Sequence, residues 1–546
     1  MKKKLLACIL TAAIVFSMIG CGGTDNDAAV LQSGSGSGTS GTETGSRDST
    51  AEPDAGEEVP VAGGTLKVGA AGSFPTTLSY TQTRGIMQVA FLSYFYETLM
   101  RYGADGTPEC LLLDSITPDS GALTWTMKVK EGITFSDGSA CDAEAVAWNL
   151  NYYKENGILT SSYFANFIEA EATDAQTVVC RFSEWDALFD YSLCRTVLIA
   201  SKKAFDENGS EWLEANPVGT GPFIVKEYNQ EVNMVLEKNP DYWQGDVLLD
   251  GVEIIYYGNE LVEAASLQNG EIDCMVTEAY NIVEQVKNTV TPDVTAIPSY
   301  AYTLCFNCVE GDDPFTNVLV RQAASYAIDS KAINDALTYG YGTVSNQWAV
   351  EGTDNYNPEV DGQPYDVEKA RDLLKEAGYE NGFSTTLTFP SNEFTKNVAS
   401  IIAEQLSQAG ITVELRPIEG AAYVNYIGGW ESGMLLHSMG YEAGAPSQYA
   451  TTFVKDIAFG LGMNMFDVTD ELNETAKAII TATTEEEKLE NTHKVAKMVF
   501  DDSCMAKVVL ITSSVAFSNE NVKDGDFCKI QNYREDMWKA WLAEKQ

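Results

Sequence analysis

Histidine is nearly absent from this chain: 546 residues include two, His437 and His493. That leaves little room for a histidine-based triad or a histidine-rich zinc site. Basic residues are scarce too, 35 Lys and Arg against 79 Asp and Glu, which sets the formal net charge at -44. Such a surface repels phosphate backbones, so nucleic acid is not expected as a partner. It also repels anionic lipid, so any membrane attachment needs a covalent or hydrophobic anchor. The chain lacks G-x-S-x-G, Walker A, G-x-G-x-x-G and H-E-x-x-H motifs, and its cysteines show no zinc spacing. No pair stands out among the abundant carboxylates as a glycosidase couple. The reading is of a protein without a catalytic set, a metal site or a cofactor.

Cysteine is not scarce, but its pattern excludes something. Of eleven cysteines, Cys8 and Cys21 lie near the start and nine are spread over the rest. An odd, dispersed set does not make a disulfide framework and suggests buried apolar fillers. Cys305-Phe306-Asn307-Cys308 is formally C-x-x-C, yet it lies in a strand-like run, where residues three apart point to opposite faces. A redox pair normally opens a helix instead.

The first 21 residues carry Lys2, Lys3 and Lys4, an apolar run from Leu5 to Ile19, and then Gly20-Cys21. This is the layout of a secretory signal, too short for a comfortable membrane span of about 20 residues. Met18-Ile19-Gly20-Cys21 resembles a bacterial lipobox, which implies lipidation of Cys21 and anchoring to the outer face of the cell membrane. Residues 22–63, with Ser33-Gly34-Ser35-Gly36-Ser37-Gly38 and many acids, read as a disordered tether.

Beyond the tether the texture is mixed α/β. Thr65 to Gly69 and Leu123 to Val129 alternate as strands, and Asp105-Gly106 marks a hairpin. Asp142 caps a helix with Glu144 in its first turn. Amphipathic helices are predicted over Val367–Gly378 and Phe394–Gly410, and a strand over Ile411–Leu415. Helix-to-strand alternation of this kind indicates an α/β class. His493 falls in a polar helical stretch and is read as a surface residue.

Several segments together resemble the bacterial peptide/nickel-type extracellular solute-binding proteins, family 5. They are Gly63-Gly64-Thr65-Leu66, Tyr96-Glu97-Thr98-Leu99-Met100-Arg101-Tyr102, and Thr124-Trp125-Thr126 with Lys130 to Gly138. Pro217-Val218-Gly219-Thr220-Gly221-Pro222-Phe223, Lys238-Asn239-Pro240-Asp241-Tyr242-Trp243, Leu267 to Asp273 and Val320 to Asp329 follow in order. The resemblance covers nearly all of residues 63–540. It implies a two-lobed, periplasmic-binding-protein-like (type II) α/β fold with hinge strands and a cleft between the lobes. Lobe I would span 64–302, with an inserted subdomain at about 100–215, and return over 510–546. Lobe II would span 303–509. Crossings are expected near Tyr302–Cys308 and Val508–Phe517. The implied function is capture of a ligand for an ABC permease and ATPase, by a monomer that performs no covalent chemistry.

The ligand remains open between an oligopeptide and a small anionic metal chelate. Peptide binders of the family often carry an Asp before a Pro in lobe II; here Ala445 precedes Pro446. An ammonium buried without a carboxylate is costly. Gly433 to Met439 with Gly444-Ala445-Pro446 instead resembles the nickel-importer branch. By that resemblance the ligand-binding set is Tyr80, Met87, Tyr163, Arg195, His437 and Tyr441. Arg195 lies in an apolar run, and its forked guanidinium suits a ligand carboxylate or an internal acid. His437 follows an apolar stretch and reads first as a satisfied core histidine. The competing classes are a surface hydrolase of peptides or glycans and a sensory solute receptor.

Overall fold

The structure is a computed structural model. It describes residues 59–543 apart from 72–73, 75, 83–85, 104–105, 159–163, 195–196, 295–297, 310, 428–429, 431, 441–445, 456–465 and 526–534. The lipobox and most of the tether therefore lie outside the described residues.

Two large sheets organise the chain. The first has seven strands in the order Phe223–Asn229, Asn233–Lys238, Gly251–Tyr257, Thr65–Ala71, Cys274–Thr277, Val515–Ser518, Pro292–Val294. Thr65–Ala71 runs parallel to both Gly251–Tyr257 and Cys274–Thr277, with Val68 opposite Ile254 and Cys274. Leu66, Val68 and Ala70 are buried, which is the period-two pattern that marks this strand in the sequence. The second sheet has five strands, Ile411–Ile418, Phe383–Pro390, Met434–Gly440, Tyr300–Phe306 and Ala506–Thr512. Helices Val367–Glu376 and Glu393–Ala409 belong to this half; Asp366 and Asn392 cap their starts, and left-handed Gly410 stops the second. A third, antiparallel sheet of Leu113–Asp119, Thr124–Val129, Thr177–Phe182 and Phe167–Ala172 packs against helix Ala143–Asn156, whose N-cap is Asp142.

The chain leaves the first sheet at Val294 and enters the second at Tyr300; it returns between Thr512 and Val515. Tyr300–Phe306 pairs along its whole length with Met434–Gly440, so the first crossing precedes Tyr302 instead of falling within Tyr302–Cys308. An apolar strand and an apolar crossing look alike in sequence, and only pairing separates them. The two passages are tied together: the Ser299 amide donates to the Thr512 carbonyl at 2.7 Å. The Tyr280 hydroxyl donates to the Ser513 carbonyl and accepts from the Ser513 amide, both at 3.0 Å.

Cys305 is the last residue but one of the strand Tyr300–Phe306 and Cys308 lies just beyond it; both are buried free thiols. Burial raises each, Cys308 to about 11, the reverse of what a thiolate redox pair requires.

The segments that carry the resemblance converge on one another. Glu97 is fully buried and accepts from the Tyr242 hydroxyl and the Trp243 indole, each at 2.8 Å. Asn239 donates to the Gly221 carbonyl at 3.0 Å. A Cβ on Gly219 would lie 2.0 Å from the Phe95 carbonyl oxygen, so only glycine fits there. In the second half, buried Arg321 donates to the backbone carbonyls of Phe315, Thr316 and Ser503. These motifs hold segments distant in sequence against one another.

Burial pushes the Glu97 carboxyl up to about 7 from an ordinary 4.5, against the pull of its hydrogen-bond donors. Between those values the folded chain binds a proton that the unfolded chain has released, so stability falls as pH rises through this window. Urea titrations should show that decline in the wild-type chain, and Glu97→Gln should remove it. Glu97→Ala removes the acceptor of the buried Tyr242 hydroxyl and the half-buried Trp243 indole and should cost about 3 kcal/mol in the same assay.

Candidate ligand-binding site

Strand direction places the cleft. Thr65–Ala71, Gly251–Tyr257 and Cys274–Thr277 are parallel, so their carboxyl ends share one edge of the first sheet. Val515 pairs with both Thr277 and Val294, which puts the outgoing chain at that edge. In the second sheet Tyr300 lies opposite Gly440 and Thr512, and Gly440 is the carboxyl end of a strand parallel to Phe383–Pro390. Both crossings therefore join carboxyl ends to carboxyl ends. Ligands of open α/β sheets bind outside those ends, and residues 76–80 and 278–280 of one lobe and Gly440 of the other stand at that edge.

Tyr80 sits in the loop after Thr65–Ala71. It is buried, its ring 6.1 Å from that of Tyr96 and 5.9 Å from that of Tyr152. Burial holds its hydroxyl well above the usual tyrosine range. The Ile158 amide donates to the Thr81 carbonyl at 3.3 Å, so the chain leading to Tyr163 starts beside Tyr80. Met87 falls in helix Ile86–Leu92, directly before Ser93 to Tyr96. Arg195 follows helix Phe189–Leu193 by two positions and precedes Leu198–Ile199, which pairs with Glu97–Thr98. Tyr80, the Met87 helix and both flanks of Arg195 thus gather in one region of the first lobe. Tyr163, Arg195 and Tyr441 themselves are outside the described residues.

His437 lies on the second lobe, opposite Thr303 in the central strand pair. Its Nδ1 is 2.9 Å from the Tyr423 hydroxyl, and the two rings stack at 6.0 Å. The Tyr423 proton goes to the Leu436 carbonyl at 3.0 Å, which leaves the hydroxyl oxygen to accept from Nδ1–H. Burial lowers the imidazole to about 4, so it is neutral at physiological pH. Among the described residues no three His, Cys, Asp or Glu gather to hold a metal ion. His493 is helical as expected but only half-exposed, its Nε2 3.2 Å from the Asp354 carbonyl oxygen.

A second contact between the halves involves segments 185–191 and 480–488. The Trp185 indole donates to the Ala482 carbonyl at 2.7 Å, and the Ala187 amide to Ile480 at 2.8 Å. Buried Lys488 reaches Glu485 at 2.8 Å, Asp190 at 3.7 Å and the Tyr191 ring at 4.9 Å. Burial raises Asp190 to about 6, with Lys488 pulling the other way. The sequence reading passed over Lys488, since a lysine in an acidic helical run looks like a solvated face.

The lobes, the paired crossings and the carboxyl-end cleft define a two-lobed α/β solute-binding protein of the type II periplasmic class. A profile of the bacterial extracellular solute-binding proteins, family 5 Middle, matches residues 107–459. The glutathione-binding protein GsiB of Escherichia coli K12 is 31% identical over 383 residues, covering 68% of this chain and 74% of its own. DppA of Helicobacter pylori, solved with the peptide STSA, superposes with a TM-score of 0.72 at 22% identity over 88% of this chain and 98% of its own. NikA of Brucella suis, solved with Fe(III)-EDTA, gives 0.77 at 17% over 87% and 100%. The chain belongs to family 5 of the bacterial extracellular solute-binding proteins, the binding components of ABC importers. No described helix is long and apolar enough to cross a membrane.

Two outcomes follow from this geometry. The His437 ring should stay neutral from pH 8 down to about 5 in an NMR titration, because burial opposes its charging. Lys488→Met keeps the stem but strands Asp190, and should cost about 3 kcal/mol in denaturant at pH 8. At pH 5 the cost should be smaller, because Asp190 is then protonated.

Proposed function

We propose that this chain is the cargo-binding lipoprotein of an ABC importer and that its cargo is a small, carboxylate-rich peptide of the glutathione type. The observation that carries the reading is the 31% identity to a glutathione-binding protein, sustained over two-thirds of this chain. The site chemistry supports it. Arg195 suits a ligand carboxylate, and Ala445 leaves no acid where oligopeptide binders hold a free amine. A tripeptide with two carboxylates fits such a site better than a long, neutral peptide.

In this reading lobe I comprises 59–294 with 515–543, lobe II comprises 300–512, and the lobes close on the ligand as a hinge. The protein acts as a monomer, carries out no chemical step, and hands its ligand to permease and ATPase subunits. Cys21 is lipidated and residues 22–63 act as the tether that lets the lobes reach away from the membrane.

Thermal-shift titration separates the candidates, since a ligand that binds only the folded state raises its melting temperature. Glutathione should raise the melting temperature, and nickel citrate and neutral pentapeptides should not. A shift with nickel citrate alone would replace this reading by the chelate one. Cells fed an alkyne fatty acid should label the wild-type chain and leave Cys21→Ser unlabelled.

A further inference from the structure

Glu278 is a carboxylate in the cleft that has no part in the ligand-binding set above. It follows directly on Cys274–Thr277, and the parallel neighbour Thr65–Ala71 leads into the loop that carries Tyr80. It therefore stands at the carboxyl edge of the first sheet, beside both crossings. The Ser514 hydroxyl donates to its Oε1 at 3.1 Å, and the Ser299 and Ser514 hydroxyl oxygens are 2.7 Å apart. One serine belongs to each crossing, so the carboxylate is joined to both. Aromatic rings wall the same place: Tyr280 lies 6.4 Å from Tyr341 and from Phe394, and Phe394 lies 5.1 Å from Tyr302.

Glu278 keeps part of its surface exposed, yet burial raises its carboxyl above the ordinary range. Its neighbours are the hydroxyls of Ser299, Thr512 and Ser514 and one further acid, Glu260. Hydroxyl donors support a carboxylate but do not neutralise it. Among the described residues no cation pairs with Glu278. An anionic group in this position lacks a counter-charge that a cationic ligand would supply.

We propose that Glu278 receives an ammonium group of the ligand at the hinge end of the cleft. It takes over a role that Ala445 cannot fill on the opposite lobe. Because Glu278 is bonded to the crossings, holding the ammonium also bears on the hinge, so capture and closure are coupled. The inference rests on the peptide reading of the cargo.

Calorimetry with the full-length chain tests it, using glutathione and its deamino analogue, glutaryl-cysteinyl-glycine. Wild type should bind glutathione at least about 30-fold more tightly than the analogue, as for other buried hydrogen-bonded charge pairs. Glu278→Gln should lose that margin for glutathione and bind the analogue as wild type does. If the substitution weakens both compounds equally, Glu278 is only a hinge brace and the proposal is overturned. If it weakens neither, the proposal is overturned as well. The two-ligand comparison on wild type stands even where the variant folds poorly, and equal affinities there also overturn the assignment. Wild type that binds neither compound overturns the peptide reading, and the amine assignment with it.

Discussion

The chain passes twice between its two large sheets, and both passages leave from the carboxyl ends of parallel strands. The rest of the structure depends on that constraint. Because Tyr300 faces Gly440 and Val515 faces Thr277, the loops of both lobes open toward the same space. Hydrogen bonds from Ser299 to Thr512 and between Tyr280 and Ser513 lock the passages side by side. Adjacent passages of this kind are where hinge closure of two lobes is absorbed.

The most recognisable sequence motifs do a different job. Glu97, Tyr242 and Trp243, with Gly219 against Phe95, join strand ends that are far apart in sequence. Arg321 spends its donors on backbone carbonyls at two places in the second half. Requirements of this kind are exacting, since a buried carboxylate or guanidinium without its partners is costly. They identify the scaffold and say little about the cargo. Loops can vary in chemistry without disturbing such a scaffold.

A net charge of -44 gives each buried cation unusual weight. Lys488 stands between Asp190 on one half and Glu485 on the other, away from the crossings. Glu278 has the opposite character, an acid at the hinge with no cation beside it among the described residues. At one place between the halves a lysine offsets buried acid, and at the other hydroxyl groups alone donate to the carboxylate among the described residues.

The sequence by itself determined the local elements. Capping Asp142, Asp366 and the stop at Gly410 mark helix limits, and the alternation around Val68 marks a central strand, because these signals depend on neighbours a few residues apart. The ordered motifs were also enough to indicate the family and the two-lobed class. Tertiary structure alone decided where the chain changes sheets, since Tyr300–Phe306 reads equally well as a crossing until its partner Met434–Gly440 is seen. It alone showed Lys488 buried and His437 bonded to Tyr423, since burial and pairing are set by residues far along the chain. It alone drew Glu278 out from among 79 acids, because that carboxylate is distinguished by its place at the meeting of two sheets and by no local pattern.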